Sequence, residues 1–173
     1  LRRTLSAPAA VVALLAGWTL PLAAALVWTG FVLLVIALPT LLPAIAALFP
    51  RHAKITTRSH LDALWSDVVS AALQTVLLIV FLGHHAWLMA DAIGRTLFRL
   101  LVSHRRLLEW ITAAQSKQSA RAGWPGLYGK MAGSVVVALV AACVVWLAGA
   151  AAMPVAAPFV LAWLLAPAVA DWV

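Results

Sequence analysis

The sequence predicts an all-α, helical integral membrane protein in which two transmembrane hairpins flank a basic amphipathic or interfacial helical region. Three observations carry this. Of 173 residues, 65% are hydrophobic and only 10% are charged, whereas soluble domains are roughly 45–50% apolar and about 25% charged. Residues 4–50 and 131–170 form runs of 47 and 40 residues without Asp, Glu, Lys or Arg; a crossing helix needs about 20 apolar residues, so each run has room for two spans. The remaining stretch, 51–130, holds 14 of the 17 charges, ten basic and four acidic. An independent soluble enzyme is excluded by this composition. The net charge of +7 does not indicate nucleic-acid binding, because the basic residues stand at the edges of apolar runs, where cytoplasmic flanks of membrane proteins carry Lys and Arg.

The first hairpin is expected over 1–49, with spans near 7–20 and 22–49 and a turn at Gly17–Pro21; a break near Trp28-Thr29-Gly30 is the rival and would give more equal spans. Arg2-Arg3 followed by Ala9–Ala16 imitates a secretory signal, but the apolar run continues to Phe49. Trp18 and Trp28 suit a membrane interface, and Pro39 and Pro43 should kink the second span by removing backbone donors. Pro50-Arg51-His52-Ala53-Lys54 then leaves the membrane on a basic flank, and Ser59 before His60-Leu61-Asp62 reads as an N-cap. The helix from Ser59 should reach His84-His85 or beyond. Residues 68–90 are charge-free but contain Ser70, Gln74, Thr75, His84 and His85, which makes a weak span.

The clearest periodicity follows. At 100° per residue from Ile93, the side chains of Leu97, Leu100, Leu101, Leu107, Leu108 and Ile111 fall between about −40° and +80°. Asp91, Arg95, Arg99, Arg105, Arg106 and Glu109 fall opposite, between about 120° and 240°. An amphipathic helix over 91–111 with a basic polar face suits a helix lying in the membrane interface; His104 falls on its apolar side. Residues 116–129, with Gly123-Trp124-Pro125-Gly126, form a loop. The second hairpin is expected over 131–173, with spans near 131–150 and 157–170 and a turn at Met153–Pro158. Four spans place Arg2 and Arg3, the 51–58 cluster and the 95–130 cluster on one side, so both ends of the chain are expected to be cytoplasmic. The start at Leu1 and the stop just after a span lead us to expect a piece of a longer chain.

No metal-binding constellation, phosphate loop, nucleophile elbow or carboxylate pair is evident. No catalytic residue is identified. His84 and His85 point about 100° apart on a helix and cannot chelate one ion, and the lone Cys143 reads as a small buried hydrophobe. Asp91 and Arg95, four apart, form a structural pair. Arg99, Arg105 and Arg106 are candidates for phosphate contact, because Arg matches phosphate oxygens bidentately. Trp110 is a candidate for stacking on a sugar.

The string from His84 through Trp87-Leu88-Met89-Ala90-Asp91-Ala92-Ile93-Gly94-Arg95-Thr96, then Leu107-Leu108-Glu109-Trp110 and Thr112-Ala113-Ala114-Gln115, resembles the cyclic β-1,2-glucan synthases. These are large bacterial inner-membrane enzymes. The resemblance covers essentially the whole chain. Leu1-Arg2-Arg3 resembles the exit from their glycosyltransferase domain, and Ala166–Ala170 the approach to their glycoamylase-like domain. It implies a membrane module between those domains, in a processive enzyme that builds β-1,2-glucan from UDP-glucose. It implies UDP-glucose and a divalent metal in the adjacent domain and none in this segment. The implied partners are the lipid bilayer, the adjacent domains of the same polypeptide and, as a candidate, the glucan, for which Trp18, Trp28, Trp146 and Trp163 are considered as path-lining residues. The competing reading is a complete small polytopic protein, a scaffold or transporter subunit. A transporter should carry an ionisable residue within its spans, and neither apolar run has one.

Overall fold

Chain reversal in the first apolar run is enforced by Pro21, which cannot continue a preceding helix and whose carbonyl instead accepts the first bond of the next, from Ala25 N–H at 2.9 Å. In the computed structural model, which describes residues 2–47, 57–103, 129 and 131–172, this turn joins α1 (Arg2–Trp18) to α2 (Leu22–Ala47). Thr19 closes α1 by returning its hydroxyl to the Ala16 carbonyl at 2.8 Å. The later helices are α3 (Thr57–Val80), α4 (Leu82–Phe98) with a π-type turn at Arg99–Ser103, α5 (Ala132–Leu147) and α6 (Met153–Trp172). No strand occurs among the described residues.

Two helices are long and apolar enough to cross a membrane, through Leu22–Pro43 in α2 and Met153–Trp172 in α6. α1 and α5 are apolar but shorter, at 17 and 16 residues. By length and composition the chain is a helical membrane protein, with full crossing length met by one helix of each expected pair.

The centre of the bundle is aromatic. Trp18, Phe159 and Trp163 pack with ring centroids 5.4, 6.1 and 6.5 Å apart, among buried Leu14, Val145 and Ala156. Trp18 and Trp163 are 1% and 0% exposed, so they neither sit at a membrane surface nor line a path. Each finds a hydrogen-bond partner, as a buried indole requires: Trp18 Nε1–H donates to Thr29 Oγ1 at 3.1 Å and Trp163 Nε1–H to the Ile79 carbonyl at 3.0 Å. Trp146 faces outward. Cys143 is also exposed, correcting the buried reading. On an apolar helix with only one face packed inward, hydropathy does not separate core from outer surface.

Three departures from expectation have local causes. The turn between α5 and α6 lies at 148–152, not at Met153–Pro158. The Ala150 N–H bonds the Val145 carbonyl at 2.9 Å and the Gly149 N–H the Trp146 carbonyl at 3.2 Å, a Schellman closure with glycine at its left-handed position. Pro154 then falls in the first turn of α6, where no intrahelical N–H is required. Ala150 also adopts a left-handed φ of 58°, costing about 1 kcal/mol. Ala150→Gly is therefore expected to raise stability by about 0.5–1 kcal/mol, read as a higher melting temperature of the solubilised protein. Second, α3 begins at Thr57, which puts Ser59 inside the helix rather than at its cap. Third, the helix expected to continue through His84-His85 breaks at Phe81, with a 53° bend between Leu64–Val80 and Leu82–Leu101. The amphipathic stretch is thus the second half of α4, and its residues 104–111 lie outside the described residues.

Candidate functional site

The break at Phe81 creates α4, and α4 brings the sequence-predicted residues together. Its first half is seated in the bundle, with Leu82, Gly83 and Ala86 buried. Gly83 permits this seat: a Cβ there would stand 3.0 Å from Trp163 Cγ, so the indole lies directly on the helix backbone. The same indole donates to Ile79 on the other side of the break. One side chain therefore covers the bend and satisfies a backbone carbonyl beside it, which apolar surroundings require.

Two further tryptophans use glycine notches. A Cβ on Gly133 would meet the Trp87 ring at 2.1 Å, and one on Gly17 would meet Trp28 at 2.0 Å. Trp28 also donates Nε1–H to the Ala13 carbonyl at 2.7 Å. Thus Trp–Gly contacts clasp α1 to α2, α4 to α5 and α4 to α6. Small residues that allow close backbone approach are the usual means of joining helices in lipid. Spacing in the sequence gives no sign of these pairs, since Gly83 and Trp163 are 80 positions apart.

Trp163 contacts both Trp18, at the end of α1, and Gly83, at the start of α4. α1 and α4 also pack directly on each other. Asp91, Arg95 and Arg99 lie on the second half of α4. There Arg95 Nε–H donates to Asp91 Oδ1 at 2.9 Å, and a second N–H bonds Oδ2. The Arg95 side chain is 68% exposed, so this is a surface pair of small energetic weight. Arg99 is partly buried and engaged in a contact. The apolar residues Leu97, Phe98, Leu100 and Leu101 are exposed. Arg105, Arg106 and Trp110 lie outside the described residues, as do His52 and His104.

A groove of about 420 Å³ runs beside α4 between α1, α2 and α3, with Leu82, His85 and Met89 forming the α4 wall. A neighbouring hollow of about 350 Å³ shares Leu78 and His85 and reaches Thr40 and Gln74. Thr40 and Thr75 hydroxyls, 2.8 Å apart, tie α2 to α3 next to it. The adjacent His84 and His85 rings are 6.3 Å apart, and no group of three metal-ligating side chains occurs among the described residues. Asp67, Asp91 and Asp171 lie on α3, α4 and α6. The arrangement offers an apolar groove with few polar side chains.

No protein-family profile matches the chain. Among curated proteins, it is 34% identical over 174 aligned residues to the cyclic beta-(1,2)-glucan synthase NdvB of Rhizobium meliloti (strain 1021), a match that takes in all of this chain. The chain spans about 6% of that relative's length, so it corresponds to one segment of a much larger polypeptide. The resemblance read from the 84–115 strings thus extends along the whole chain.

Proposed function

We propose that the chain is a membrane module of a cyclic β-1,2-glucan synthase, anchoring and supporting cytosolic catalytic domains of the same polypeptide. The observation that carries this reading is the 34% identity, over an alignment that takes in the whole chain, to one segment of such a synthase. Apolar helices flanking a charged α4 end fit an anchor with a face toward soluble domains. In this reading Arg2 and Arg3 and the basic stretch 95–130 face the cytoplasm of a bacterial inner membrane, following the positive-inside rule. Both termini are then cytoplasmic, next to glycosyltransferase and glycoamylase-like domains. UDP-glucose and a divalent metal belong to the adjacent domain.

Size is the first test. An antibody to residues 112–130, used on a denaturing gel of source membranes, should reveal a band far above 18.3 kDa, the mass of this chain. A band at that mass would sink the module reading and favour a small scaffold or transporter subunit.

The finer proposal assigns Arg99, Arg105 and Arg106 to the phosphates of the sugar nucleotide and Trp110 to a glucose ring. Each charge-assisted phosphate bond is worth roughly 1.5–3 kcal/mol. Changing all three arginines to Gln in the full-length polypeptide should therefore lower glucan synthesis from UDP-glucose by at least about tenfold in inverted vesicles. Unchanged synthesis by correctly inserted protein would remove these residues from the site.

A further inference from the structure

We propose that the groove between α1, α2, α3 and α4 is a binding site for one acyl chain of an anionic phospholipid, with the phosphate at the Arg2–Arg3 end of α1. The walls are apolar: Ala7 and Ala10 from α1, Val35 and Ile36 from α2, Leu78 from α3, Leu82 and Met89 from α4. Ser6 and His85 are the polar exceptions. A volume of about 420 Å³ falls within the range of ligand pockets, roughly 300–1,000 Å³. From Leu82 to Met89 the α4 wall is about 10 Å long at 1.5 Å per residue, which accommodates a stretch of extended hydrocarbon rather than a compact ligand.

Charge decides between an anionic lipid and hydrocarbon alone. Arg2 and Arg3 are the only charged residues in the first 50 positions. They occupy the first turn of α1, and Ser6, on the groove wall, follows Arg2 by about one helical turn, roughly 6 Å. A phosphate at this end would lie at headgroup level while the chain runs inward along α1 past Ala7 and Ala10. Basic pockets between membrane helices on the cytoplasmic side select anionic headgroups in this way. A glucan is a poorer occupant, because its hydroxyls would face a wall with two polar side chains.

The test uses the full-length polypeptide, purified from source membranes in mild detergent and washed extensively, with retained lipid identified by mass spectrometry. Wild-type protein should keep phosphatidylglycerol or cardiolipin above the bulk membrane ratio. Val35→Phe and Met89→Phe, which fill the groove from opposite walls, should each lower that retention by about tenfold. Arg2→Gln with Arg3→Gln leaves the groove open and should lower the anionic lipid to a similar extent. Helical content measured by circular dichroism checks folding, and the arginine variant keeps the proposal open to refutation should both Phe variants misfold. Equal retention in folded variants, retained lipid in the bulk ratio, or a retained β-glucan in place of lipid would each overturn it.

Discussion

Trp163→Ala should lower the stability of the solubilised protein by about 3–5 kcal/mol, the range for deleting a large buried aromatic. Three losses combine at this position. The ring is fully buried against Trp18 and Phe159, so truncation leaves a cavity. The Gly83 backbone loses the surface that covers it. The Ile79 carbonyl loses its indole donor, and an unpaired group in apolar surroundings costs roughly 1–3 kcal/mol. Trp163→Phe separates these effects: it keeps most of the ring and removes only the donor, so it should cost about 1–2 kcal/mol. The measurement is the fraction of monodisperse protein remaining after heating in detergent. Equal losses for Ala and Phe would mean that the hydrogen bond, and not packing, dominates. No loss with Ala would remove Trp163 from the centre of the bundle.

Gly133→Leu should destabilise by about 3 kcal/mol or more, the upper end of overpacking costs. Its Cβ alone would stand 2.1 Å from two atoms of the Trp87 ring and 2.7 Å from Trp87 Cβ. The last of these is close to backbone and cannot swing away, so α4 and α5 must separate. Adding Trp87→Ala to Gly133→Leu should restore at least about 1 kcal/mol, a coupling expected for residues in direct contact. Purely additive losses in that double-variant cycle would show that the two residues do not meet. Gly94, on α4 with Trp87, offers a control, since a Cβ there meets nothing within 4 Å. Gly94→Ala should be neutral to slightly stabilising through helix propensity.

The first turn was legible because Pro21 acts locally. The Asp91–Arg95 contact was legible for the same reason: four residues on a helix bring two side chains together whatever surrounds them. The bend at Phe81 was not. Residues 77–82 read Leu-Leu-Ile-Val-Phe-Leu, with no Gly or Pro to announce a break. The bend is covered by an indole from α6 that lies on Gly83 and bonds the Ile79 carbonyl, a pairing across 80 positions that no local window shows. The α5–α6 turn was misplaced for a different reason. Pro154 and Pro158 marked a breaker cluster, but proline in a first helical turn starts a helix as readily as it ends one, and Gly149 carried the decisive conformation.

Composition and periodicity by themselves determined that this protein is helical, apolar enough for a membrane, charged chiefly in its middle, and similar in its 84–115 strings to glucan synthases. Those properties are sums or short-range repeats, and a linear chain displays them directly. Only the tertiary structure decided which tryptophans are core and which face outward, where α3 and α4 part, and that a groove opens between four helices. In an almost uniformly apolar chain, hydropathy cannot distinguish a residue facing lipid from one facing protein. That distinction rests on shape, on which glycine admits which indole, and shape is settled only when the helices meet.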